Sequence, residues 1–475
     1  MTIDVLPDDV LVQIFFYVTI TRYWDSMQNR WHVLVHVCRR WRYVVSASPR
    51  RLNLRLEYRG HGPMLEVLDV WPVLPITLIS RVGIPPSHPK SDRRWDNMVA
   101  ALESEHHDRI CEIDISDMTN SRWGRFTAAM QKPFPELTYL YVFVRGGGDL
   151  VPVLPDSFLG GSAPHLQELW LRSIPFPSMQ KLLLSANRLV TLSLKDIPDS
   201  GCISPDAMAT ALTVMATLET LHLQFRSPRS RPDPASRPLP PSTRFVLPAL
   251  TKLSFKGVHE YLEDLLARID APLLYYLHIV FFMDLNFGVP QLHRLIGHAE
   301  EFKAFDHAEM LISDRAIQLS LYPKTGVVDH YRLLELQINC RELEWQLSSL
   351  AQVCSSSFAL IPTLEELKIK EYDYPPSSHW KDDLENAQWL ELLDPLTALK
   401  DLYLTHEIAQ RVCSALQGLS GEPANEVLPA LRNLFIQGFW SLGLVQEALV
   451  PFVTARQLSG HPMVLDRWKD PGRLT

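Results

Sequence analysis

No Cys-x-x-Cys pair occurs in the chain. Its six cysteines (Cys38, Cys111, Cys202, Cys340, Cys354 and Cys413) are scattered, with no histidine-rich segment at zinc-finger spacing. Reduced, buried thiols in cytosol or nucleus are the expected state, and no structural zinc or disulfide framework is expected. No apolar run approaches the roughly 18 residues that span a bilayer, and an N-terminus carrying Asp4, Asp8 and Asp9 does not suit a signal peptide. Neither membrane insertion nor secretion is expected. Also missing are a Walker-type phosphate loop, a Gly-x-Ser-x-Gly elbow, a His-Glu-x-x-His helix and a dinucleotide fingerprint. Arg145 opens only a glycine-rich turn, and the adjacent His106 and His107 have no acid or thiol at ligand spacing. The expectation is a protein with no catalytic residue, no metal and no cofactor.

A strong excess of one charge is missing as well, 46 Lys and Arg standing against 54 Asp and Glu. A net charge of -8 gives no global basic field, so nucleic acid is not an expected partner. Arg39, Arg40, Arg42, Arg50, Arg51, Arg55 and Arg59 do crowd one stretch, which reads as a solvated helix face and its exit or, alternatively, as a phosphate site. With 46% apolar and 21% charged residues, the chain has the composition of a folded protein, and whole-chain disorder is excluded.

The N-terminus supplies the first positive signal. Pro7 suits a first helical position, Asp8 and Asp9 suit the helix dipole, and Val10, Leu11, Ile14, Phe15 and Val18 make an apolar stripe. Val12 and Phe16 carry apolar surface to the other side, which one small core cannot cover. A second segment, Trp31 to Val45, places Leu34, Val37, Cys38, Trp41 and Val45 on one helical face. Two helices within about 50 residues bury little by themselves, so the missing cover is expected to be another protein.

Leu6-Pro7, Ile14-Phe15 and Val37-Cys38-Arg39-Arg40-Trp41-Arg42, followed by Ala47-Ser48-Pro49, resemble an F-box of the kind found in many fungal proteins. The link Thr19 to Arg30 is longer than the family's usual one. The resemblance implies docking onto a Skp-type adaptor and, through it, a cullin ligase. It also implies that Leu6, Pro7, Ile14, Phe15, Val37, Cys38 and Trp41 line that contact or the small core behind it. A generic helical hairpin capping the following domain is the alternative.

From residue 135 a Leu-x-x-Leu-x-Leu pattern recurs, its first leucines at Leu137, Leu166, Leu189, Leu218, Leu250, Leu274, Leu333, Leu364, Leu399 and Leu431. The intervals bracket the roughly 20 to 29 residues of leucine-rich repeats, with several longer. One degenerate copy is expected near Phe302 and Phe305. Between strands the period turns helical: Ser204 caps and Pro205 opens a segment carrying Met208, Leu212 and Met215, and Leu262, Leu265, Leu266 and Ile269 follow the same spacing. Strand-helix units of this kind bury their apolar faces only by stacking.

The expected fold class is α/β: a short all-helical F-box module, then a leucine-rich-repeat solenoid with a parallel sheet on the concave side and helices on the convex side. The expected domains are 1–50, the F-box module; 51–133, linker and N-terminal cap with strands in "LNLRLEY" and "ICEIDIS"; 134–460, the solenoid; and 461–475, a tail. The segment 227–244, rich in Pro, Arg and Ser, is expected to be a flexible insertion.

Alternation about the repeat leucines sends Tyr139, Tyr141, Phe143, Trp170, Arg172, Tyr276, His278, Lys368, Lys370, Tyr403 and Phe435 to the concave face, the candidate surface for a protein target. The expected function is the substrate-receptor subunit of a Skp-cullin-F-box ubiquitin ligase, in cytoplasm, nucleus or both. A leucine-rich scaffold or regulator without ligase function is the alternative.

Overall fold

The computed structural model describes residues 5–20, 31–48, 52, 54–62, 74–80, 89–145, 153–175, 180–228, 244–282, 289–313, 315–323, 333–339, 343–355, 361–371, 386–417, 419, 426–437 and 442–468. Most of the proline-rich segment, together with Arg50, Arg51, Cys340, Asp382 and Asp383, falls outside them. The chain forms two compact units, Met1–Gly201 and Cys202–Thr475.

The first unit opens with helices Asp8–Ile20, Trp31–Val37 and Arg39–Ala47, which pack on one another. The carbonyl of Pro7 accepts from the N–H groups of Val10 and Leu11, and Asp8 and Asp9 lie in the first turn. Cys38 caps the third helix, its Sγ accepting from the Trp41 N–H at 3.4 Å. The buried stripe of the first helix is Leu11, Val12 and Phe15. Val10 and Ile14, which the spacing placed with Leu11 and Phe15, stand exposed instead, because the neighbouring helices cover a narrower face.

Six strands follow: β1 (Leu56–Tyr58), β2 (Ile76–Ser80), β3 (Ile110–Met118), β4 (Tyr139–Val144), β5 (Glu168–Arg172) and β6 (Thr191–Ile197), each parallel to the next. Two helices, Pro89–Glu103 and Asn120–Ala129, come between them and are laced by Arg122–Asp92 and Arg125–Asp96 ion pairs, both 2.6 Å. The described strands of the region 51–133, β1, β2 and β3, thus lie in one sheet with β4. Its strands lack the leucine signature and blur the alternation: β1 alternates, but β2 is buried from Ile76 to Ile79, and Asp114 is buried between Ile113 and Ile115, which are 1% exposed or less.

The second unit contains β7 (Thr220–Phe225), β8 (Phe245–Val246), β9 (Lys252–Gly257), β10 (Ile269–Asp270), β11 (Tyr276–Phe282), β12 (His307–Ile312), β13 (Ala316–Tyr322), β14 (Leu333–Asn339), β15 (Glu366–Glu371), β16 (Asp401–Leu404), β17 (Asn433–Gln437) and β18 (Val464–Trp468). Its main sheet has the order β7-β9-β11-β14-β13-β12-β15-β16-β17-β18. All neighbours are parallel except β13, which runs antiparallel to β12 and β14. The sheet is therefore mostly, not wholly, parallel. The chain leaves β11, crosses to β12, turns back through β13 and fills the gap with β14.

Helix Pro205–Leu212 is capped as its sequence specifies, Ser204 Oγ accepting from the Ala207 N–H at 3.2 Å, with Met208 and Leu212 buried. In helix His259–Leu266 the buried residues are Tyr261, Leu262, Leu265 and Leu266, while Ile269 lies in β10.

One hydrogen bond, from the residue after each first leucine to its counterpart one repeat earlier, runs through the array. In the first unit Gln167 N donates to Thr138 O (2.8 Å) and Val190 N to Gln167 O (2.7 Å). In the second, Thr251 N donates to Glu219 O, Tyr275 N to Thr251 O, Lys400 N to Glu365 O and Arg432 N to Lys400 O. These bonds extend the pairing ahead of each strand. They also fix the register of the degenerate copy: Glu365 N donates to Asp306 O (2.8 Å), so Phe305, buried against Phe302, takes the first-leucine place. Leu333 does not take it. Leu334, Leu336 and Ile338 are buried in β14, Leu333 lies on the other face, and Leu334 rather than Leu336 pairs with Leu277, two residues from the register the repeat pattern sets.

Candidate binding face

Along the repeat strands buried apolar residues alternate with residues that form an open face, on which Ser193 and Ser254 are themselves buried. In β4, Leu140, Val142 and Val144 are buried, and Tyr139, Tyr141 and Phe143 are half-exposed. Every target-site residue expected from alternation lies on this face. In the first unit the register aligns Tyr141 with Trp170 and Phe143 with Arg172. The rings are not bare: Trp170 donates from Nε1 to Glu168 (3.2 Å), Lys195 Nζ lies 5.7 Å from the Trp170 centroid, and the Arg172 guanidinium lies 4.9 Å from that of Phe143. Cations resting on rings are attracted by the ring quadrupole and hold the aromatics in place.

The open face of the second unit divides into two clusters. Gln224 donates to Ser254 Oγ (3.4 Å), Ser254 lies 3.2 Å from His278 Nδ1, and His278 Nε2 lies 3.2 Å from Glu335. The chain of contacts resembles a nucleophile relay. Ser254 is a buried strand residue in the β7-β9-β11 ladder. It works as a polar clamp across four strands. The other cluster surrounds Tyr403, which stacks on Phe435 (centroids 4.4 Å, planes 13° apart) and meets the Trp468 ring at 5.4 Å. Lys368 lies over Tyr403 and Lys370 over Trp468, paired with Glu366 and Glu309 at 2.8 Å each. His307 donates toward Glu366 and Asp306 (3.2 and 2.8 Å), and these bonds raise its pKa. The His307 bond is the main reason that the Glu366 carboxyl falls to about 2.

The sequence missed Trp468, placed in a tail that proves to hold β18, and Lys195 with Asp196, one repeat beyond Arg172. Continuing the alternation through "TLSLKDI" would have found Lys195.

The seven adaptor-site residues separate by exposure. Phe15 is fully buried and packs on the half-buried Trp41 (centroids 4.7 Å), Cys38 is the cap, and Leu6 offers its carbonyl to Arg40. Pro7, Ile14 and Val37 stand exposed, beside Val10, Phe16, Tyr17, Val33 and Tyr43. Four arginines of the run bond within the fold: Arg40 pairs with Asp8 (2.7 Å), Arg42 donates to Val35 O (3.0 Å), Arg55 pairs with Glu112 and Arg59 with Glu57. Those bonds favour the structural reading of the run over a phosphate site. Burial pushes the Cys354 and Cys413 thiols up to about 12, so neither is a ready nucleophile. Among the described residues no helix is long and apolar enough to cross a membrane.

No family model matches the chain, and no curated protein matches it. Among solved structures it is similar to the leucine-rich repeat-containing protein LegL7 from Legionella pneumophila. The identity is 12%, over 77% of this chain and 95% of that one, with a TM-score of 0.26, a superposition too loose to carry an argument.

Proposed function

We propose that this chain is a non-catalytic receptor subunit of a Skp-cullin-F-box ubiquitin ligase, the N-terminal helices docking a Skp-type adaptor and the open sheet face holding a protein target. The observation that carries the reading is the exposed apolar surface of the N-terminal helices: Ile14 is 38% exposed, Val37 55% and Val33 64%, around a core already filled by Leu11, Phe15, Val44 and Val45. Exposed apolar side chains gathered on one small module with a filled core suit a surface that another protein covers. The repeat sheet supports the second half of the reading, since it presents aromatics and cations, the residue types that anchor interfaces. Chemistry on the target belongs to other subunits of the ligase.

Proximity labelling in cells tests both halves together. Ile14→Asp with Val37→Asp should remove cullin-ligase subunits from the labelled set and leave the target. Tyr141→Ala with Trp170→Ala should remove the target and leave the ligase. Sets unchanged by either pair refute the assignment of that surface. Ligase subunits labelled without any ubiquitinated partner would instead mark a scaffold.

A further inference from the structure

Where β4, β5 and β6 end, the open face of the first unit holds two cations and one carboxylate. Arg172 and Lys195 are register partners on adjacent strands. Asp196 Oδ2 accepts from Arg172 Nε at 2.6 Å. Two non-glycine residues here, Ser173 (φ 60°) and Asp196 (φ 52°), occupy the left-handed region, which L side chains enter at a cost. The conformation at Asp196 adds a residue to β6: Lys195 and Asp196 both stand off the core before Ile197 returns to it, and this brings the Asp196 carboxylate to Arg172. Strain held at a charged cluster is a pointer to function.

Among the described residues at this end of the strands, the charges do not balance. Asp196 serves Arg172, Glu168 accepts from Trp170, and Lys195 has no ion pair among the described residues although it is half-buried. Burial and the neighbouring guanidinium hold the Lys195 ammonium below the usual lysine range, with Asp196 opposing them. A partly desolvated cation whose described partners are the Trp170 ring face and a carboxylate already bonded to Arg172 gains from an added anion.

We propose that Arg172 and Lys195 form a receptor for one carboxylate side chain on an acidic segment of the protein target, with Trp170 and Phe143 supporting the residues beside it. This rests on the open face being the target surface. One net positive charge suits a single Asp or Glu. A phosphate group, bringing nearly two charges, would press against Asp196.

The test uses the full chain against immobilised pools of degenerate nine-residue peptides whose central residue is Glu, Gln, phosphoserine or Lys. The Glu pool should retain about fivefold more protein than the Gln pool, the ratio expected of one half-buried ion pair. Lys195→Gln should abolish that preference and Lys195→Arg should keep it, both variants melting like the parent. Equal retention on Glu and Gln pools, a preference surviving Lys195→Gln, or stronger retention on phosphoserine each overturns the proposal. So does retention on no pool, in which case the wider reading is still judged by the Tyr141 and Trp170 labelling comparison.

Discussion

Replacing Arg456 by Met should unravel the C-terminal end of the array while sparing its middle. Arg456 lies near the end of helix Leu442–Leu458, is 1% exposed, and donates to four carbonyls of one turn: Val427 (3.5 Å), Leu428 (3.1 Å), Pro429 (3.1 Å) and Leu431 (3.2 Å). The turn needs holding, because Leu428 is fully buried at φ 53°. Methionine fills much of the volume but supplies no donor. The Leu428 carbonyl keeps the Leu431 N–H at 3.0 Å, each of the other three carbonyls left without the guanidinium costs about 1–3 kcal/mol, and the desolvation of the guanidinium, no longer incurred, offsets part of the total, leaving an expected loss of about 2–4 kcal/mol. Arrays of stacked repeats are stabilised by their neighbours, so the loss should fall on the last units first. Hydrogen exchange by mass spectrometry should show the amides of β17 and β18 exchanging far faster, with those of β9 and β11 unchanged. A variant whose β17 and β18 protection matches the parent would refute the account of the turn.

Three further outcomes follow from the same geometry. Because the Glu366 carboxyl drops to about 2 from an ordinary 4.5, it stabilises the fold above pH 4.5 and loses that contribution as the pH falls toward 2. The integrated effect is at most roughly 3 kcal/mol. The raised His307 contributes below its unfolded pKa and loses its effect as the pH rises through the folded value. Urea titrations from pH 5 to 2 should therefore show a shallower acid loss for Glu366→Gln than for the parent, and parallel curves would remove the pair from the ledger. Gly257→Ala should destabilise by about 1–3 kcal/mol through overpacking, since an added Cβ would lie 2.7 Å from Phe255 Cζ and 2.8 Å from Phe225 Cδ2, two buried rings; a thermal melt like that of the parent contradicts this. Trp41→Ala should loosen the helical module itself by emptying its place against Phe15, whereas Ile14→Asp should leave module helicity intact. Circular dichroism of the two full-length variants, with proteolysis near residue 40, distinguishes these effects.

The repeat leucines were legible because each must fill the same buried slot, as Leu137, Leu166 and Leu189 do. The reversal through β13 was not. Leu333, Leu336 and Ile338 fit the Leu-x-x-Leu-x-Leu pattern, yet the pairing with β11 and β13 sets Leu334 opposite Leu277, two residues from the register that pattern implies, and alternation alone gives no sign of the slip because it leaves Leu336 and Ile338 on the same face. The strand β18 was illegible for a different reason: it lies at the sheet edge, its five side chains are exposed or half-exposed, and no apolar alternation announces it. On the candidate face, alternation alone placed Tyr141, Trp170 and Tyr403 correctly. What it could not give was which cations lie over them, because a long lysine reaches across a strand to a ring no nearest-neighbour rule assigns, as Lys370 does to Trp468. In the N-terminal helices, spacing identified an apolar segment but not which side a third helix would cover. That is why Ile14 changed from core to surface while Val12 moved inward.

Docking of the adaptor is the claim on which the function turns, and isothermal titration of the full chain with a purified Skp-type adaptor measures it directly. The account predicts a one-to-one complex, weakened at least about tenfold by Ile14→Asp with Val37→Asp, as expected when carboxylates are buried without partners at an apolar contact. Absence of a complex with the parent chain, or equal affinity for the double variant, would contradict it.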